Sequence, residues 1–268
     1  MTLPVTFLSD YGNADEFVGV VHAVIARECP QARVIDLSHG VPRQGVVPGA
    51  LMLARALPYT PPGVHLAVVD PDVGVRRRAV ALRTEEEDRL LVGPDNGLLL
   101  PAAERFGGVS EAVEISTSPW RLEPVSATFH GRDIFAPVTA RLAAGGELAE
   151  AGAPLDPGEL VRLELSRPRR EDDGTLIAHV LTGDRFGNVG LDATHADLGV
   201  KLGAAVTLGV RGADAPVRYV RTFAEVSPGE LLLYEDSSGM LAVAVNGGDA
   251  ATELGGLRFG DEVRIAPA

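Results

Sequence analysis

The chain reads as an α/β protein: an N-terminal, mainly parallel sheet flanked by helices, followed by a smaller C-terminal domain of antiparallel, barrel-like β structure. Two observations predict this. Over the first two-thirds, short β-branched runs alternate with longer stretches whose apolar residues recur three and four apart, the pattern of strands joined by helices. Beyond that the helical spacing fades, and short strand-like runs recur between Gly, Asp and Ser turns, as in a small sheet or barrel.

Taken in order, Val5 to Leu8 is the first expected strand and Glu16 to Arg27 the first helix, with one face apolar for packing on a sheet. Arg33 to Asp36 and Pro48 to Leu57 repeat the pair. His65 to Val69, Ala79 to Arg83 and Leu90 to Val92 are further strands, and the acidic run Glu85 to Asp88 reads as a solvated hairpin or loop. Gly145 to Pro157 is rich in Gly, Ala, Pro and Glu, which places a boundary there and gives domains 1–155 and 156–268. In the second, Gly174 to Thr182, Ala205 to Val210, Tyr219 to Phe223, Glu230 to Tyr234 and Leu241 to Asn246 are the expected strands.

Composition narrows the function. With 268 residues, 46% of them hydrophobic, the chain can bury one large core or two modest ones. A net charge of -13 works against a nucleic-acid partner, which needs clustered Lys and Arg for counterion release. The one cysteine, Cys29, excludes an internal disulfide and a thiolate metal cage. His22, His39, His65, His179 and His195 are scattered singly, without the i, i+4 spacing of a helical zinc site, so no metal is expected. No run approaches the roughly 20 apolar residues that span a bilayer, and the expectation is a cytoplasmic protein without a membrane partner.

Chemistry is expected at the polar turns. Asp70 ends an apolar run and is followed by Pro-Asp-Val-Gly and by Arg76, Arg77 and Arg78, so it stands at a strand's carboxyl edge, where open α/β sheets keep their ligand crevices. Asp10, in Phe-Leu-Ser-Asp-Tyr-Gly, has a similar place: it can accept two hydrogen bonds from a ribose diol, or simply cap the helix that follows. His130 lies between Phe129 and Gly131, off any smooth apolar stripe. Asp184-Arg185-Phe186-Gly187-Asn188, Ser237-Ser238-Gly239 and Asn246-Gly247-Gly248 are turns in the C-terminal half; an aromatic face beside an amide suits a cation and a base edge.

In order and spacing, FLSDYG, VVDPDVG with Arg77, GPDNG at Gly93 to Gly97, FHGRDIFAP, DRFGN and SSGMLAVAVNGG together resemble the S-adenosyl-L-methionine (SAM) hydroxide adenosyltransferases, relatives of the SAM-dependent fluorinase and chlorinase. The resemblance implies an α/β domain plus a β-barrel-like domain, assembled as homotrimers with active sites at subunit interfaces. It implies that Asp70, Arg77 and His130 form a water-activating triad and that Asp10 holds the ribose hydroxyls. Asp184, Phe186, Asn188, Ser237, Ser238, Asn246 and Gly247 match positions around the methionine and the base. The implied reaction is attack of water on C5′ of SAM to give adenosine and L-methionine, with SAM a substrate and no cofactor; which triad member takes the proton is left open. The resemblance also implies that the halogenating relatives carry tyrosine in place of Asp70 and lack the histidine, which disfavours the alternative of halide-dependent 5′-halo-5′-deoxyadenosine formation. A second alternative is a non-catalytic SAM or adenosine binding module. Asp72 and Leu191-Asp192 depart from the family pattern; Asp72 either raises the pKa of Asp70 by like-charge repulsion or points to solvent.

Overall fold

Every residue of β1 (Val5–Ser9) and β3 (Val64–Val68) is buried, as strands covered on both faces require. The computed structural model describes residues 2–75 and 77–268, which leaves Arg76 outside the described residues. The chain divides into two units, Met1–Leu163 and Glu164–Ala268.

In the first unit, β1 leads through α1 (Phe17–Glu28) to β2 (Val34–Ser38), then through α2 (Val46–Ala56) to β3. β4 (Ala79–Thr84), β5 (Leu90–Pro94), α3 (Leu100–Glu104), β6 (Val109–Glu114), α4 (Ala136–Ala143) and β7 (Ala153–Leu155) follow. The sheet order is β2-β1-β3-β5-β4-β6-β7. β2, β1, β3 and β5 are parallel neighbours, whereas β4, β6 and β7 pair antiparallel, so the sheet is mixed. Alternate residues of the strands feed two cores. Val5, Phe7, Leu66 and Val68 pack with α1 and α4, while Leu8, Ala67, Val69 and Leu82 pack with α2 and α3. A one-residue slip of β3 would therefore exchange both layers at once. The chain goes from β1 to β2 on one side and returns across β1 to β3 on the other, so the direction of sheet growth reverses between β1 and β3.

The second unit contains β8 (Arg169–Arg170), β9 (Leu176–Gly183), β10 (Val189–Thr194), α5 (His195–Leu198), β11 (Ala205–Val210), β12 (Ala213–Tyr219), β13 (Leu231–Glu235), β14 (Met240–Val245), α6 (Ala250–Glu253) and β15 (Glu262–Pro267). Seven of these strands close into a barrel in the order β10-β14-β13-β12-β11-β15-β9, with β9 pairing back to β10 and β8 lying beside β9. Its interior is filled by Leu176, Val189, Leu208, Leu233, Val243, Ile265 and their neighbours. No helix among the described residues is long and apolar enough to cross a membrane.

Particular elements differ from the expectation. The barrel contains one parallel pair, Arg218↔Leu232 and Tyr219↔Leu233. The strand expected at Tyr219 to Phe223 instead runs over Ala213–Tyr219 and stops before a reciprocal cap between Thr222 and Glu225. Pro216 concealed it: this residue lacks a backbone donor, and lies where β12 is paired with β11 but not yet with β13. The first unit also keeps residues 156–163, because Leu160 is buried in its core and Val161 N–H donates to Asp95 Oδ1 at 2.9 Å.

Below the sheet's carboxyl edge, His65 is fully buried between Thr6 and Arg89. Arg89 can only donate, so His65 Nε2 accepts its Nη1–H (3.2 Å) and Nδ1–H donates to Thr6 Oγ1 (2.9 Å). Burial first, and then the Arg89 cation, lower the His65 pKa to about 3. The unfolded chain therefore binds one more proton than the folded one below the ordinary histidine pKa. Stability is full above that value and falls as pH drops toward about 3. Urea unfolding followed by the fluorescence of Trp120, the single tryptophan, should show this proton as about 1.4 kcal/mol per pH unit between about pH 6 and pH 4. The His65→Gln variant should lack that component; an unchanged slope would assign the pH dependence elsewhere.

Candidate active site

Ser9 pairs with Val68, so the residues that leave β1 and β3 emerge side by side at the carboxyl edge of the sheet, at the point where strand order reverses. Asp10 and Asp70 are those residues, and both line a cavity of about 710 Å³ with Tyr11, His39, Gln44 and Val73. Asp10 Oδ2 accepts the backbone N–H of Gln44 at 2.9 Å. Gln44 has φ 61°, a strained conformation for a residue with a side chain, and this bond is one of the contacts that hold it.

The structure brings Asp70, Arg77 and His130 into one hydrogen-bonded line. Arg77 Nε donates to both carboxylate oxygens of Asp70, at 2.9 and 3.0 Å, and its Nη2 closes a second bond to Oδ2. The same Nη2 donates to His130 Nδ1 at 3.0 Å. The Asp70 and Arg77 side chains are only 6% and 7% exposed, so this is a buried ion pair, held by bidentate geometry. Since a guanidinium has no acceptor, His130 Nδ1 must carry the lone pair and the neutral ring carries its proton on Nε2. Burial and then the Arg77 cation push the His130 pKa down, against smaller upward pulls from Asp70 and Asp133. Protonating the ring would also put a hydrogen on Nδ1, facing Arg77. The arrangement therefore presents a fixed carboxylate beside a neutral imidazole, a combination able to hold and polarise a water molecule.

Local sequence explains why His130 arrives there. Gly74 has φ 79°, and a Cβ on it would lie 2.2 Å from the carbonyl oxygen of Ala127, so only glycine lets the turn after Asp70 meet the segment before His130. Asp133 is buried and accepts from Ser126 N–H at 2.8 Å and from Arg132, anchoring that segment. Residues 131–135 form a single π-helical turn ahead of α4, a form recurrent at functional sites. Gly131 gives Tyr11 room: a Cβ there would lie 2.1 Å from the Tyr11 hydroxyl. Burial, followed by the Asp10 and Asp70 carboxylates, pushes the Tyr11 pKa far up, so its hydroxyl stays protonated. Asn96, which the sequence offered only as part of GPDNG, donates from Nδ2 to the carbonyl of Val69 at 2.8 Å and clamps the strand end that carries Asp70. Asp72 is exposed, and Arg78 turns away to Asp95 at 2.8 Å.

The predicted residues of the second unit do not form one cluster. Asp184 organises the hairpin between β9 and β10, accepting Phe186 N–H (2.8 Å), Asn188 N–H (3.0 Å) and Asn188 Nδ2–H (2.7 Å), and leaves Phe186 73% exposed. Asn246 and Gly247 follow β14, whose Val243 pairs with Val189, so they lie toward the same end of the barrel as that hairpin. Ser237 and Ser238, both exposed, precede β14 at its other end, a span of roughly 20 Å at ~3.3 Å per residue. Asp192 is buried and accepts His179 N–H at 2.7 Å, which makes it a stitch between β9 and β10. A second cavity, of about 730 Å³, is lined by His195, Lys201, Tyr219, Arg221 and Glu235 and contains none of the predicted residues.

Comparison with known proteins follows the same division. The SAM hydroxide adenosyltransferase N-terminal domain matches residues 5–152 and the corresponding C-terminal domain residues 178–264. The (R)-S-adenosyl-L-methionine hydrolase of Salinispora tropica is 52% identical over 97% of this chain and 97% of its own length. That of Thermus thermophilus is 42% identical over 98% and 99%. A fluorinase of an Actinoplanes species is more distant, at 30% identity over 90% of each chain. An uncharacterized conserved protein from Thermotoga maritima superposes with a TM-score of 0.89 at 37% identity, covering 98% of this chain and 99% of that one.

The contact between Gly131 and Tyr11 yields a direct test. Gly131→Ala should destabilise the first unit by about 1–3 kcal/mol through overpacking, read from the urea midpoint of Trp120 fluorescence. Adding Tyr11→Phe should recover part of that loss by removing the obstructing hydroxyl; no recovery would mean that the cost arises elsewhere.

Proposed function

The chain belongs to the SAM hydroxide adenosyltransferase family, and from that premise we propose that it is a SAM hydrolase that forms adenosine and L-methionine from the (R) epimer of its substrate. The observation that carries the reading is the Asp70–Arg77–His130 line, whose Asp70 lines, with Asp10, the cavity at the switch point of the sheet.

Water attacks C5′ opposite the departing sulfur; the new C–O bond forms as the C–S bond breaks, and its electron pair leaves with the neutral thioether of methionine. A sulfonium needs no acid to leave, so the protein's tasks are orientation and activation of water. Because His130 Nδ1 is taken by Arg77, the neutral ring offers Nε2–H to the water oxygen, and Asp70 is the member of the triad that receives the water proton. Arg77 keeps the carboxylate in register and offsets negative charge as hydroxide character develops. Asp10 holds the ribose diol. Asp184, Phe186, Asn188, Asn246 and Gly247 serve the base and sulfonium side, and Ser237 and Ser238 the far end of the substrate; their spread along β14 suits a long ligand. We further propose a cytoplasmic homotrimer in which a neighbouring subunit's second unit completes each site, and chemistry that uses no cofactor. Repulsion between Asp70 and an incoming anion works against halide as the nucleophile.

The test is incubation with each epimer of SAM in halide-free buffer enriched in oxygen-18 water, with mass detection of the nucleosides. Labelled adenosine and methionine in equal amounts, from the (R) epimer, are expected. A halogenated nucleoside formed only when halide is added would replace the proposal with halogenation, and bound but unchanged substrate would replace it with a binding module. Asp70→Asn and His130→Ala should each lower kcat by about 10²–10⁴-fold, the usual contribution of general acid–base groups. Wild-type turnover in folded variants would remove the triad from the mechanism.

The pH profile tests the imidazole. The folded His130 pKa lies below the ordinary 6.5, so the neutral form persists as pH falls through that value. The acid limb of kcat/KM should therefore have its midpoint below 6.5. An acid limb above 6.5 would contradict a neutral His130 held by Arg77.

A further inference from the structure

Three side chains outside the Asp70–Arg77–His130 line converge in the first unit. His22 lies on α1, Asp36 on β2 and His39 just beyond β2. His22 Nε2 is 2.8 Å and His39 Nε2 is 3.1 Å from the same oxygen, Asp36 Oδ1, and one ligand atom from each residue lies within 4.8 Å of the other two. His39 is 6% exposed, and its buried Nε2 faces Asp36 without completing a hydrogen bond. A buried ring nitrogen without a partner costs free energy unless something else engages it. The other nitrogen, Nδ1, is engaged with Ser9 Oγ at 2.8 Å. Phe7, fully buried, packs against both imidazoles, with ring centroids 6.0 Å from His22 and 4.6 Å from His39.

We propose that His22, Asp36 and His39 form a binding site for one divalent transition-metal ion, separate from the hydrolytic triad. Two imidazoles and one carboxylate are the ligands of borderline ions such as zinc or cobalt; calcium and magnesium take oxygen ligands instead. Bonds of about 2.0–2.1 Å put tetrahedral ligands roughly 3.3 Å apart. The separations of 2.8 and 3.1 Å open by a few tenths of an ångström to reach that, while the ligand atoms of the two histidines, within 4.8 Å of each other, draw together. Asp36 and His22, with side chains 44% and 34% exposed, can move by that amount and leave an open path for the ion and a fourth ligand from water. Ser9 on His39 Nδ1 supplies the outer hydrogen bond that metal-bound imidazoles use to hold their orientation. No i, i+4 spacing announces the site, because its ligands come from a helix, a strand and a loop. The carbonyl of His39 also accepts Gly12 N–H at 2.8 Å, so a bound ion would stiffen the segment from Ser9 to Gly12 that walls the cavity.

The test is titration of the untagged, chelator-treated full chain with zinc in a calorimeter, and with cobalt followed by visible absorption. One saturable ion per chain is expected, with ligand-field bands for cobalt. His22→Ala and Asp36→Asn should each weaken binding at least tenfold, and the double variant should abolish it, with folding checked by Trp120 fluorescence. These partly exposed positions avoid the packing risk of changing buried His39. No saturable binding up to millimolar metal, or equal binding by the folded double variant, would overturn the proposal.

Discussion

The site depends on Arg77 holding two partners at once. A buried ion pair is weak evidence for stability, because desolvation offsets most of the attraction; removing one partner, however, leaves an uncompensated charge at a cost of about 3–5 kcal/mol. The Asp70–Arg77 pair is therefore better understood as a positional device. Its guanidinium sets the plane of the carboxylate, dictates which nitrogen of His130 bears the proton, and lowers the affinity of that ring for a second proton. One cation thus fixes the orientation of the carboxylate and the tautomer of the imidazole.

Much of the first unit can be understood as support for that contact. Asn96 grips the backbone immediately before Asp70. Gly74 lets the turn after Asp70 touch Ala127, and Asp133 ties down the segment that leads from there to His130. Three chain segments, distant in sequence, are thereby made to converge. The edge they occupy follows from topology: the chain's return across β1 places the crevice between the segments that follow β1 and β3.

The sequence made the strand-end carboxylates legible because apolar runs ending in Asp-Tyr-Gly or Asp-Pro-Asp leave little doubt about where a strand stops. The same local pattern is silent on pairing partners. Nothing in Ala79 to Arg83 distinguishes a strand that pairs antiparallel from one that joins the parallel set, and the single parallel contact of β12 with β13 is equally invisible. Pro216 hid β12, and the segment 156–163, which opens on Asp-Pro-Gly-Glu, gave no sign that Leu160 would be buried. In the site, Asp10, Asp70, Arg77 and His130 were visible as motif residues. The clamp that Asn96 makes on Val69 and the grouping of His22 with Asp36 and His39 were not, since they arise from tertiary proximity and not from spacing along one element.

The two units carry different kinds of information. The groups proposed to activate water all lie in the first, held in place by the hydrogen bonds of Arg77 to Asp70 and His130. In the second, the turns at the two ends of β14 carry the exposed Ser237 and Ser238 at one and, beside the other, a hairpin whose Asp184 carboxylate is taken up by Asn188 and whose Phe186 is exposed. Such groups recognise shape and hydrogen-bonding pattern without altering the charge of a nucleophile. On the proposed mechanism, the choice between hydrolysis and halogenation is made in the first unit. A carboxylate fixed by Arg77 favours water, which can give up a proton to it, and repels a halide, which has no proton to give.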